Sequence, residues 1–278
     1  MCSYRLDAEY ADPTPLRVRI DTHERYSERP DDPGADVLAA LALTGTEHLA
    51  DIGCGDARFL AHLATSGHQG PLVGIDTSPA MVAAANAVPG VRGVFGSADR
   101  IPFDDNSFDA LTARHMLYHM ADPVAALTEF RRTTKPGGTV AVVVNHPGTY
   151  PCTTELVAAH AATYGVGVAD AVTTTVDSDT LPQMMSEVFG DVRIRRSDNA
   201  LVFDTPDPLV RFAEALFTFY GVTPNHPRRQ AILRDLREDV EDWFTHHPGR
   251  TWRDPKGYIV ATAMVDADYQ GSAPSASK

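Results

Sequence analysis

The chain has 278 residues, 43% of them hydrophobic and 22% charged, with a formal net charge of −13. That balance describes a globular protein with a real core, and it disfavours nucleic acid as a partner, because no basic stripe is available to displace counterions from phosphates. No window holds the roughly 18 consecutive apolar residues of a membrane span, and the polar N-terminal stretch has no apolar core of a secretory signal, so a cytoplasmic protein acting on a small molecule is expected.

Residues 1–34 are polar and contain Pro13, Pro15, Pro30 and Pro33. They read as an arm with a short helix around Arg17 to Arg25. Ala35 to Leu43 is a first helix by its apolar spacing. The chain then alternates between strands and helices. A strand over "HLADIG" leads to a helix over Arg58 to Ala64, and a strand over Pro71 to Asp76 leads to a helix that Ser78 is placed to cap, with Pro79 at its first position. A strand at Val91 to Phe95, a loop and a strand at Phe108 to Arg114 follow. A helix over Pro123 to Thr133 stops at the turn "KPGG", and "TVAVVVNH" is the next strand. Such alternation predicts an α/β fold with a doubly wound, mostly parallel seven-stranded sheet.

Beyond His146 the pattern becomes mostly helical, with strands only at "DVRIRR", "GYIVATAMV" and, less regularly, "ALVF". The expected organisation is an arm over 1–34 and one domain over 35–270. Helical insertions within about 147–190 and 205–250 would cover the site, and a small, polar, disordered tail would occupy 271–278. Cys2, Cys54 and Cys152 are scattered, which gives neither a disulfide framework nor a metal site. A monomer or homodimer is expected.

The stretch "LADIGCGDARFL" leaves a strand through an acid and two glycines. Gly53 and Gly55 remove side chains where a ligand could approach the backbone at a helix N-terminus. A dinucleotide site wants a third glycine at position 58, where this chain has Arg58. The acid Asp51 is also badly placed beside phosphates and suits an ammonium group instead.

These residues resemble the class I S-adenosylmethionine-dependent methyltransferases, in particular the small-molecule branch similar to the enzymes of ubiquinone and menaquinone biosynthesis. The resemblance covers about residues 45–146. "DIGCGDA" is similar to the family's glycine loop, with Ala57 in the third glycine position. By resemblance, Asp51 and the backbone of Gly53, Cys54 and Gly55 hold the methionine part of the cofactor. "GIDTSPAMV" implies that Asp76 accepts from the ribose hydroxyls, with Thr77 beside it and Met81 packed on the adenine. "GSADRIPFDDNSFD" implies that Asp99, between Ala98 and Arg100, accepts from the adenine amino group. Arg114 would pass near the sulfonium, and Tyr26 of the arm would fold over the cofactor. "KPGG" is read as structural, and Arg131-Arg132 as a solvated patch.

Methyl transfer from such a cofactor is an in-line displacement, so the protein has to align the partners and exclude water. A hydroxyl, amine or carbon nucleophile also needs a base. His115 and His146, near the carboxyl ends of two strands, are the candidates, whereas His119 reads as a packing residue. The resemblance implies methylation of a small molecule, with a specialised metabolite as the expected class. The alternatives are a cyclase-like enzyme on the same fold that does not methylate, and a methyltransferase acting on RNA or protein.

Overall fold

The structure is a computed structural model that describes residues 14–166 and 176–268. The expected tail at 271–278 and the first part of the arm lie outside these residues. The described chain divides into two compact units, one over 33–147, 176–196 and 258–268, the other over 14–32, 148–166 and 197–257.

In chain order the elements are α1 (Thr14–Tyr26), α2 (Pro33–Leu41), β1 (Leu49–Ile52), α3 (Arg58–Thr65), β2 (Leu72–Asp76), α4 (Pro79–Asn86), β3 (Val91–Phe95) and β4 (Phe108–Arg114). A short 3-10 turn at Leu117–His119 precedes α5 (Pro123–Thr133) and β5 (Thr134–Asn145). The later elements are α6 (Pro151–Thr163), α7 (Leu181–Phe189), β6 (Arg193–Phe203), α8 (Pro206–Glu214), a 3-10 turn at Phe217–Tyr220, α9 (Arg229–His246) and β7 (Trp252–Met264).

The sheet has seven strands in the order β3-β2-β1-β4-β5-β7-β6. Pairings from β3 through β5 are parallel, and β7 runs antiparallel to β5. This is the doubly wound sheet that the alternation of elements predicts. All four residues of β1 are buried, as a central parallel strand covered on both faces requires. Strand order reverses between β1 and β4, and ligands of such sheets bind outside the carboxyl ends at that reversal.

Period-two alternation splits the sheet unit's core into two layers. Ile52, Ile75, Leu111, Val142 and Ile259 point to one face with Leu127 and Phe130 of α5 and Met185 of α7. Leu49, Leu72, Ala110, Val143 and Val260 point to the other, against Val37 and Leu41 of α2 and Leu60 and Leu63 of α3. Sequence pattern placed α7 in the covering insertion; its buried side chains put it in the sheet unit instead.

Two local signals resolve differently from the reading of the sequence. "KPGG" is not a separate turn, because β5 starts at Thr134 and the four residues form a bulge. The register with β4 jumps from Phe108↔Thr134 to Ala110↔Thr139 across it. Gly137 takes φ +81° there, and a side chain at Gly138 would meet the Asp109 carbonyl at 2.8 Å. Second, Ser78 occupies the N-cap position of α4 but makes no side-chain cap bond; its amide donates to Asp76 Oδ1 at 2.9 Å. The cap at α5 follows the usual rule, with Asp122 accepting from the Ala125 amide at 3.0 Å and Pro123 in the first turn.

The second unit is built from α1, α6, α8 and α9 around Val157, Leu201, Phe203, Phe212, Phe217, Ile232 and Leu236. Two buried polar groups tie its segments. Asp254 accepts from the Cys152 and Thr153 amides at 3.0 and 2.7 Å. Lys256 pairs with Asp31 and lies 2.9 Å from His23 Nδ1.

Ala57, at the head of α3, sits at φ +61°, ψ 21° and is fully buried. The left-handed conformation explains why glycine suits this position in the loop, and alanine is the smallest side chain that can stand in for it. A β-branched residue meets both the strained φ and a filled space. Ala57→Val is therefore expected to destabilise the protein by about 2–5 kcal/mol in urea unfolding, with Ala57→Gly close to neutral.

Candidate functional site

The glycine turn follows β1 and runs beside the ends of β2 and β4. Gly53 and Gly55 have φ values of +65° and +55°, so both adopt the conformation that favours glycine. Their open sides differ. A Cβ on Gly53 would lie 2.8 Å from Met116 Cβ, whereas one on Gly55 would meet nothing within 4 Å. The bare surface of Gly53 is thus covered by the chain's own Met116, and the exposed approach to the backbone is at Gly55.

The turn's amides are already engaged. Gly53 and Cys54 donate to the Ile75 carbonyl at 2.7 and 3.2 Å, and Gly55 donates to Asp76 Oδ2 at 3.0 Å. An anion cradled by these three N–H groups is excluded, which agrees with the rejection of a dinucleotide site. Cys54 is buried, and a Cβ on Gly74 would come within 2.8 Å of its Sγ, so its side chain packs beneath the turn. Burial and the nearby charges of Asp51 and Asp76 push its thiol pKa up.

Asp51 departs most from expectation. Its side chain is 0% exposed and bonds Arg114 of β4, Oδ2 to Nη2 at 2.8 Å and Oδ1 to Nε at 3.4 Å. The carboxylate that was to face a ligand ammonium is instead held by a guanidinium of its own protein. Burial raises the Asp51 pKa, and the charge and hydrogen bonds of Arg114 oppose the rise. Arg114 is 20% exposed at its side chain, and its Cζ stands 4.3 Å from the centroid of the Phe59 ring. The expectation that Arg114 passes the sulfonium had no place for this pair.

Asp76 ends β2 with one backbone bond on each oxygen, from Gly55 and from Ser78. Burial raises its pKa against those bonds. A carboxylate has room for about four acceptor interactions, so each oxygen retains capacity facing outward. Thr77 is exposed, and Met81 is buried at 4% exposure in α4. Past β3, the Arg100 amide donates to the Ser97 carbonyl at 3.1 Å and closes a tight turn. Ala98 is buried in that turn, while Asp99 and Arg100 are exposed at its tip. Ser97 Oγ donates to Asp99 Oδ1 at 2.5 Å.

The loop after this turn is organised by a residue that the sequence reading assigned to solvent. Arg132 donates to the Ile101 and Phe103 carbonyls at 3.1 and 2.9 Å and pairs with Glu129 at 2.7 Å. Glu129 in turn accepts from the Ile101 amide at 2.9 Å. The available signal was the i, i+3 spacing of Glu129 and Arg132 on one helix.

His115 follows β4 in a left-handed conformation, φ +52°, with its amide donating to the Val143 carbonyl at 2.9 Å. Its ring meets Tyr258 edge-on, with centroids 6.2 Å apart. His146 lies one residue beyond β5 and is half-buried. Because β4 and β5 are paired neighbours, both histidines stand at adjacent carboxyl ends. His119 meets the Tyr118 ring edge-on, with centroids 4.6 Å apart, a packing contact. Tyr26 belongs to the second unit, where it packs on Phe203 at 5.2 Å.

Two shallow clefts lie at the other end of the sheet. One, of about 350 Å³, is lined by Leu41, Glu47, Asp109, Lys135 and Gly137, at the amino ends of β4 and β5.

Residues 50–142 match the family model of a methyltransferase domain. Over 94 residues the chain is 45% identical to a demethylmenaquinone methyltransferase of Roseiflexus castenholzii, which spans 33% of this chain and 40% of that one. This stretch is thus similar to the methyltransferase domain of such enzymes. A demethylmenaquinone methyltransferase of Mycolicibacterium gilvum is 40% identical over 103 residues, 37% of this chain and 44% of that one. The chain thus spans less than half the length of these two curated relatives. Among solved structures, YcgJ of Bacillus subtilis superposes with a TM-score of 0.55 at 20% identity, over 84% of this chain and 97% of that one. A phosphoethanolamine N-methyltransferase of Haemonchus contortus gives 0.58 at 17% identity, over 94% and 59%. These likenesses establish the methyltransferase fold. The cofactor of such a domain is S-adenosylmethionine.

Proposed function

We propose that the protein transfers the methyl group of S-adenosylmethionine to a hydroxyl, amine or carbon of a small molecule, a specialised metabolite being the class in view. The observation that carries this reading is the pairing of an open Gly55 with Asp76 at the carboxyl end of β2. A Cβ at Gly55 would fill the space in which a ligand meets the backbone, and Asp76 keeps acceptor capacity beside it. These residues fit the cofactor: Asp76 would take the ribose hydroxyls, and the Ala98–Arg100 turn would take the adenine edge through Asp99.

When bound, the cofactor supplies a methyl group activated by its sulfonium charge. The protein's part is alignment, worth roughly 7–11 kcal/mol in favourable cases, together with a base. His115 is the proposed base, with His146 as the second candidate. Support comes from its place at the strand reversal and from its left-handed backbone, a strain that costs about 1–3 kcal/mol and concentrates at functional positions.

Asp76→Ala is expected to weaken S-adenosylmethionine binding by about 1.5–3 kcal/mol in calorimetry, the worth of a hydrogen bond to a charged group. Unchanged affinity would remove Asp76 from the site. The cyclase SpnF shares the fold, with a TM-score of 0.53 at 21% identity, so fold alone does not separate methylation from cyclisation. Weighing the product does: a gain of one methyl group supports transfer, and an isomer supports the cyclase reading.

A further inference from the structure

We infer that Arg114 is the receptor for the carboxylate of the cofactor's amino-acid tail and that Asp51 acts only through it, as the group that positions the guanidinium. The inference rests on the cofactor reading above and assigns the part of that site which the glycine turn leaves unassigned.

The tail of S-adenosylmethionine ends in an ammonium and a carboxylate, and a carboxylate needs N–H or O–H donors. The turn offers none from its first three residues, because the amides of Gly53, Cys54 and Gly55 are bonded to Ile75 and Asp76. The expected counter-charge, Asp51, is 0% exposed and repels an anion. The neighbouring strand supplies what is missing. Ile52 pairs with Ala113 in parallel register, so Gly53 and Arg114 are the next residues along two adjacent strands, whose spacing is about 4.8 Å.

A guanidinium carries five N–H donors in a planar fork. Asp51 uses the Nε and Nη2 edge, at 3.4 and 2.8 Å. Nη1 bonds no group among the described residues, and a fifth of the side chain is open to solvent. The fork is held on one edge by a buried carboxylate and on one face by the Phe59 ring. A donor fixed in this way gives up little rotamer freedom on binding, which is the advantage of arginine over lysine at a carboxylate. Lysine could not bridge Asp51 and a second carboxylate in the same plane.

The test measures affinity by calorimetry for three ligands: S-adenosylhomocysteine, its analogue lacking only the carboxylate (S-adenosyl-3-thiopropylamine), and methylthioadenosine, which lacks the whole tail. The native protein is expected to bind S-adenosylhomocysteine about tenfold to a hundredfold more tightly than the decarboxylated analogue. The variant combining Asp51→Asn with Arg114→Gln, which removes both charges of the pair together, is expected to lose that preference while holding methylthioadenosine within threefold of the native value. Equal affinity of the native protein for the acid and its decarboxylated analogue overturns the assignment even if the variant fails to fold. So does a variant that keeps the preference. Native protein that binds none of the three ligands overturns the cofactor reading itself, which is a different result.

Discussion

Arg114→Met is expected to lower the free energy of unfolding by about 3–5 kcal/mol near neutral pH, because it strands the Asp51 carboxylate in the interior. Asp51 is fully buried and has Arg114 as its side-chain partner. Burial already pushes its pKa above the ordinary 3.8, with Arg114 opposing. Without the arginine the folded-state pKa rises further, so the folded variant takes up a proton that the unfolded chain does not bind. A raised folded-state pKa means that stability is fully present below the unfolded value and is lost as pH rises through the folded one. The native Asp51 already has a folded-state pKa above 3.8, so the deficit is smallest in acid and grows only as pH rises through that native value towards the still higher one of the variant. Adding Asp51→Asn to the same variant is expected to recover most of the loss, which a double-mutant cycle in urea would measure. A deficit below 1 kcal/mol, or one that does not change with pH, would show that the pair is not a buried charge pair.

For the chemistry, His115→Asn is expected to slow methyl transfer by about 10²–10⁴-fold, the usual contribution of a positioned base. Asparagine tolerates positive φ, so it replaces the ring without adding strain at φ +52°. Unfolding free energy within about 1 kcal/mol of native and unchanged S-adenosylhomocysteine affinity would confine the effect to the chemical step. The rate is read by mass spectrometry as S-adenosylhomocysteine formed from S-adenosylmethionine in the presence of a small-molecule methyl acceptor. A loss below threefold would leave His115 as a strained structural residue and move the base to His146.

The strand ends were legible in the sequence because glycine, proline and acids punctuate them. β3, β4 and α5 have the bounds that pattern alone gives, and the parallel pairing from β3 through β5 is what the alternation of strands and helices implies. What sequence pattern could not show is which polar groups satisfy one another. Asp51 and Arg114 are 63 residues apart in the chain and meet only through the parallel pairing of β1 and β4. Met116 covers Gly53 for the same reason: the contact is made across strands, and no local period encodes it. The bulge at "KPGG" illustrates the converse limit. Proline and two glycines announce a break in regular structure, and whether that break is a turn or a bulge depends on the neighbouring strands β4 and β7.

The measurement that tests the account most directly is a crystal structure of the protein with S-adenosylhomocysteine. The ribose hydroxyls are expected on Asp76, the backbone of Gly55 against the ligand, and the tail carboxylate on Arg114. Density in the cleft by Lys135 and Asp109 at the amino ends of the strands, with the glycine turn bare, would contradict it.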